Sequence, residues 1–104
     1  MMQKIAFKMK LKPGMQAEYE KRHAAIWPEL VTLLKENGIA DYTIFFDEES
    51  DSLFAVQRLT GTSSQELGKI ALVQRWWKYM ADIMETNEDF SPVSTALPVV
   101  FHLD

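Results

Sequence analysis

The chain has 104 residues, 47% of them hydrophobic, with 11 lysines and arginines against 15 aspartates and glutamates and no cysteine. That length suits one globular domain whose core needs no cross-link and leaves no room for a second, so residues 1–104 are expected to form a single domain. A net charge of -4 repels a polyphosphate and argues against a nucleic-acid partner, while the missing thiols exclude disulfides, thiolate nucleophiles and thiolate metal sites and accord with a cytoplasmic location.

The N-terminal stretch Met1-Met2-Gln3-Lys4-Ile5-Ala6-Phe7-Lys8 carries lysines among its apolar residues. It has neither the unbroken core of a signal peptide nor the length of a membrane span, and no membrane partner is expected. Residues 5–11 alternate, with Ile5, Phe7, Met9 and Leu11 on one side and Ala6, Lys8 and Lys10 on the other, which predicts a half-buried strand. Pro13-Gly14 breaks the pattern, and residues 15–27 take helical spacing, with Tyr19, His23 and either Ile26 or Trp27 on one stripe. Pro28 disfavours helix at Trp27, so a second helix is expected over residues 28–37, stopping at Asn37-Gly38.

Residues 42–46 and 53–59 are aromatic, β-branched and alternating, and should pair antiparallel across the acidic turn from Asp47 to Asp51. Ser63 with Glu66 resembles a capping box, and residues 67–84 continue as a helical region with a bend near Gly68. A last strand is expected over residues 97–103, with Pro98 near its start. The order β-α-β-β-α-β is that of a ferredoxin-like α+β fold, in which helices cover one face of a four-stranded antiparallel sheet. The strands carry apolar residues on both registers, so the open face should meet a second copy of the chain, giving a homodimer.

The two histidines stand at opposite ends of the chain, and neither HExxH nor an EF-hand loop is present, so no metal is expected. GxGxxG, P-loop and GxSxG motifs are also missing, which argues against dinucleotides, nucleotide triphosphates and α/β-hydrolase chemistry. Two features remain. Tyr19 and His23 lie four apart on a helix surface, where a phenol and an imidazole together can hold a polyol and exchange a proton with it. Trp76 and Trp77 diverge by about 100° on a helix, so at least one should face away from the core, and an indole offers a flat wall to the C–H face of a sugar. The competing reading makes His23 a hydrogen-bonded helix residue and both tryptophans core or interface contacts. His102, near the chain end, reads as structural or interfacial.

The motifs Tyr19-Glu20-Lys21-Arg22-His23, Ile26-Trp27-Pro28-Glu29-Leu30, Asp41-Tyr42, Gln74-Arg75-Trp76-Trp77-Lys78-Tyr79-Met80 and Ser91-Pro92-Val93 resemble the L-rhamnose mutarotase family over nearly the whole chain. The resemblance implies a dimeric α+β barrel enzyme, an isomerase of rhamnose metabolism that interconverts the α and β anomers of L-rhamnopyranose without a cofactor. It implies His23 as proton donor and Tyr19, Tyr42, Trp76 and Trp77 as substrate-binding residues. Opening the ring takes one proton to the ring oxygen and one from the anomeric hydroxyl; protonated His23 is expected to give the first, with a tyrosine, a carboxylate or a water as base. The stretch Asn87-Glu88-Asp89-Phe90-Ser91-Pro92 departs from the family's usual Asn-Pro-Asp-Asn-Ser-Pro. The same architecture also hosts haem-binding and oxygenase-type proteins, and a non-catalytic sugar-binding module would use the same aromatic walls.

Overall fold

The computed structural model describes residues 3–61 and 63–104; Met1 and Met2, which open the N-terminal stretch considered above, and Thr62 lie outside the described residues. Strand β1 (Gln3–Lys10) keeps the predicted alternation, burying Phe7 and Met9 and exposing Lys8 and Lys10. It pairs antiparallel with β3 (Ser52–Leu59) on one side and with β4 (Thr95–Leu97) on the other, and β2 (Ile39–Asp47) pairs with the far side of β3. The resulting order β2-β3-β1-β4 is the expected ferredoxin-like α+β sheet.

Registers set the two faces. Phe7 opposes Ala55, Met9 opposes Leu53, and Ile44 and Phe46 oppose Ala55 and Leu53 from β2, so these residues share the inner face under the helices. Phe45 opposes Phe54 on the outer face and is 59% exposed.

Helix α1 (Gln16–Ala24) ends three residues before the predicted stop. Trp27 is extended because it precedes a proline, and Pro28 then opens α2 (Pro28–Glu36), where its missing N–H is no loss. Gly38 ends α2 with φ +83°, and a Cβ there would collide with Thr60 Oγ1, so both conformation and space require glycine.

The region 67–84 is divided rather than continuous. A 3₁₀ turn (Ser64–Glu66) precedes α3 (Ala71–Met80), and a second turn (Ala81–Ile83) follows. Gly68 lies between the first turn and α3, where an added Cβ would be 2.8 Å from the Trp77 ring, so no side chain fits between the backbone and that indole. The Ser63 side chain caps nothing; its carbonyl accepts the Glu66 N–H instead. Along α3, Val73, Trp76, Trp77 and Met80 are all buried. This corrects the expectation that one tryptophan turns away, because positions three and four after Val73 straddle a single helical stripe.

The last strand is also shorter and earlier than predicted. Pro98 offers no N–H to the ladder, and continuing the register would set Val99 and Val100 against Lys4 and Gln3, where β1 ends. Residues 98–104 therefore leave the sheet, with Val99, Val100, Phe101 and Leu103 exposed. None of the helices in the described residues is long and apolar enough to cross a membrane.

Candidate active site

A cavity of about 1270 Å³ lies between the inner sheet face and the helices, and Tyr19, His23, Tyr42, Trp76 and Trp77 all line it. Its volume exceeds the roughly 300–1,000 Å³ of common small-molecule sites. A small ligand thus fills only part of it, and the polar groups on its wall decide where.

Tyr19 is the one buried residue of α1, and His23 follows it by one helical turn. Their rings stack with centroids 4.2 Å apart, and Trp76 meets His23 edge-on at 5.4 Å. His23 Nδ1 lies 3.1 Å from the Tyr19 carbonyl oxygen. A carbonyl only accepts, so Nδ1 carries the proton and Nε2 keeps a lone pair; among the described residues Nε2 has no partner. Burial pushes the His23 pKa down from its usual value, and the Tyr19 carbonyl offsets part of that shift. The neutral imidazole is therefore the resting form at neutral pH.

Two supports hold this group. Trp27 packs edge-on against Trp76 at 5.0 Å, from the break between α1 and α2. Arg22 ties α1 to the end of α3: its guanidinium donates to both Asp82 carboxylate oxygens, to Glu18 and to the Tyr79 carbonyl, and lies 4.9 Å from the Tyr79 ring centroid. The pair holds the Asp82 carboxyl below its usual range, chiefly through the Arg22 hydrogen bonds. Rotation of α1 about its axis, which would carry His23 away from Trp76, is thereby opposed from both ends of the contact.

Tyr42 arrives by another route. Between Ala40 and Thr43 the β2–β3 register shifts, so Asp41 and Tyr42 together face the single residue Gln57. A bulge of this kind re-aims side chains. Asp41, at φ +49°, pairs with Arg58 at 3.0 Å, while the half-buried Tyr42 lines the cavity, as Ser64 also does. Burial raises the Tyr42 pKa, partly offset by Ser64 and Gln57; burial likewise raises that of Tyr19, with Tyr42 adding to it. Both phenols are protonated at neutral pH. One acceptor nitrogen, two phenol hydroxyls and indole walls form a site suited to a neutral polyol rather than an anion.

The model of the L-rhamnose mutarotase family matches residues 4–103. The chain belongs to this family. It is 62% identical to the L-rhamnose mutarotase of Bacteroides thetaiotaomicron, over 99% of this chain and 100% of that one. It is 54% identical to that of Leptothrix cholodnii, over 98% and 97% of the two chains. The crystal structure of an L-rhamnose mutarotase from Formosa agariphila superposes with a TM-score of 0.92 at 47% identity, covering 98% of this chain and 99% of that one.

Within this mutarotase-family cavity, all five residues singled out from the sequence come together, drawn from α1, β2 and α3. His102 is elsewhere, exposed in the tail and 2.8 Å from Asp104. Among the described residues no group of three or more His, Cys, Asp or Glu side chains is placed to hold a metal ion. The acidic turn of residues 47–51 is closed on itself, Asp47 accepting from the Glu49 N–H and the Ser50 hydroxyl.

Sequence reasoning did not pick out Ser64, which lines the cavity, or Gln57 behind it. The one available signal was a glutamine on the apolar register of a strand, opposite Ile5. The departing loop also reaches the site: Phe90 lines the cavity, in the left-handed region at φ +69°.

Proposed function

We propose that the protein is an isomerase that interconverts the α and β anomers of L-rhamnopyranose within this cavity. The observation that supports it best is the tied imidazole: Nδ1 engaged with the Tyr19 carbonyl, Nε2 unpartnered, in a ring that lines an aromatic cavity. The names of the relatives supply the sugar.

Because burial favours the neutral ring, His23 begins as base rather than as the standing imidazolium expected from the sequence. Nε2 takes the anomeric hydroxyl proton as the bond from C1 to the ring oxygen breaks, and the imidazolium so formed delivers a proton to that oxygen. Both oxygens are bonded to C1, so one imidazole reaches both. The aldehyde turns about the bond from C1 to C2, the former ring oxygen attacks its other face, and the two proton transfers reverse. No redox change or cofactor enters. The phenols of Tyr19 and Tyr42 donate to sugar oxygens, and Trp76 and Trp77 cover its C–H surface.

The test is magnetisation exchange between the two anomeric protons of L-rhamnose. His23→Ala is expected to abolish protein-driven exchange, a loss of at least about 10²-fold, while the circular dichroism of the fold is unchanged. Full exchange in that variant refutes the assignment. We further propose a cytoplasmic homodimer of one domain per chain, formed through the outer sheet face; the half-exposed Phe45 beside Phe54 supports it.

A further inference from the structure

Gln16, Tyr19, Glu20, His23 and Ala24 of α1 all line the cavity. Their spacing of three and four sets them on a single face of the helix. That face is polar at four of its five positions, whereas α2 and α3 meet the same cavity chiefly through Leu30, Val31, Leu34, Val73 and Met80. The inward face of a helix is ordinarily its apolar one, and a polar face turned to a cavity is matched to a ligand that brings hydrogen bonds of its own. Within that face Glu20 lies one turn from His23, a separation of about 5–6 Å between Cβ atoms.

Two carboxylates line the cavity, those of Glu20 and Asp41. Arg58 takes Asp41 at 3.0 Å. The other ion pairs among the described residues use Glu18, Asp82, Glu85 and Asp104, which leaves Glu20 as the cavity carboxylate that no cation holds. Glu20 is also exposed, so it stands at the cavity mouth with its oxygens solvated until a ligand replaces the water.

A polyol needs acceptors as well as donors. The phenols of Tyr19 and Tyr42 donate, and a sugar hydroxyl that accepts from them still has its own proton to give. A carboxylate offers two acceptor oxygens side by side, which suits a pair of hydroxyls on adjacent carbons. Position decides which pair. His23 works at C1 and the ring oxygen; from C1 the ring runs one way to C2 and C3, which carry hydroxyls, and the other way through the ring oxygen to C5, which carries the methyl group. A carboxylate one helical turn from the imidazole therefore finds its donors on C2 and C3.

We propose that Glu20 is a substrate-binding residue whose carboxylate accepts from the hydroxyls on C2 and C3 of the sugar and so orients C1 toward His23. The inference rests on the sugar reading of the cavity given above.

Alanine at an exposed helix position leaves the fold in place. Sugar binding is read without turnover, by chemical-shift titration of the Trp76 and Trp77 indole N–H signals. Glu20→Ala is expected to weaken L-rhamnose binding about tenfold, near the low end for a hydrogen bond to a charged group because Glu20 stays open to water. Glu20→Gln, which keeps one acceptor oxygen, should lose less. With 2-deoxy-L-rhamnose, which lacks one of the two donors, Glu20→Ala should weaken binding only about threefold or less. Equal losses for the two sugars show that Glu20 does not meet the hydroxyl on C2, and unchanged L-rhamnose binding in Glu20→Ala removes it from the site; either result overturns the proposal. A native protein that binds L-rhamnose without driving anomer exchange fails the mutarotase reading, and the same two ratios still uphold or overturn Glu20. A native protein whose indole signals no sugar moves ends the sugar reading and the proposal with it.

Discussion

His23 is where sequence and structure meet most directly. Its spacing from Tyr19 was readable as a shared helix face, and the stacked rings at 4.2 Å bear that out. What spacing does not carry is the protonation state, which depends on burial contributed by α3 and by the sheet. That burial lowers the His23 pKa below the usual 6.5, and two pH effects follow. A depressed folded-state value means the unfolded chain binds the proton more readily. The associated stability is thus fully present above about pH 6.5 and is lost as pH falls from there through the folded value. If the neutral ring is the working form, exchange holds level from pH 8 down past 6.5 and declines only below it. A pH series of anomer exchange checks this; a rate that climbs as the solution is acidified through that range means the imidazolium is the resting catalyst instead.

Elements were legible to different degrees, and the reason is what each one's ends depend on. The break at Trp27-Pro28 and the stop at Gly38 are local backbone chemistry, and both stand where residue types predict them. The start of α3 depends on Trp77 packing against Gly68, a tertiary contact without local signature. The bulge at Asp41 and Tyr42 depends on what opposes it in β3, so the aim of Tyr42 was hidden although the residue was not. The loop before β4 shows the same division. Its residues announced a departure from the family pattern, but only the structure reveals that Phe90 occupies left-handed backbone at φ +69°. A Cβ-bearing residue there costs about 1–2 kcal/mol, and asparagine tolerates it best. Phe90 is 42% exposed, so any smaller residue there gives up the apolar surface that is covered. Asparagine and alanine give up that surface alike and only asparagine relieves the strain, so Phe90→Asn should melt about 4 °C above Phe90→Ala. Thermal melts of the two variants side by side check the cause as well as the sign.

At the scale of the whole molecule, the helices cover one face of the sheet and leave open the other, where apolar residues stand beside Lys8 and Lys10. The inner face closes over the cavity; the outer one carries Phe45 opposite Phe54, with Ala6, Val56 and Leu97 only partly covered. The tail beyond β4 adds Val99, Val100, Phe101 and Leu103, each more than two thirds exposed. Apolar surface of this extent on a small chain is characteristic of an association site, and a two-fold contact between identical sheets buries Phe45 of both copies at once. A charge at that residue is then introduced twice into one interface, and each carboxylate must be stripped of water to dock beside Phe54. Phe45→Glu should accordingly shift sedimentation from a particle of twice the 12.0 kDa chain mass to one of that mass, with the secondary structure intact. A native protein that already sediments at 12.0 kDa across the micromolar range rules out the dimer and leaves the outer face to another partner.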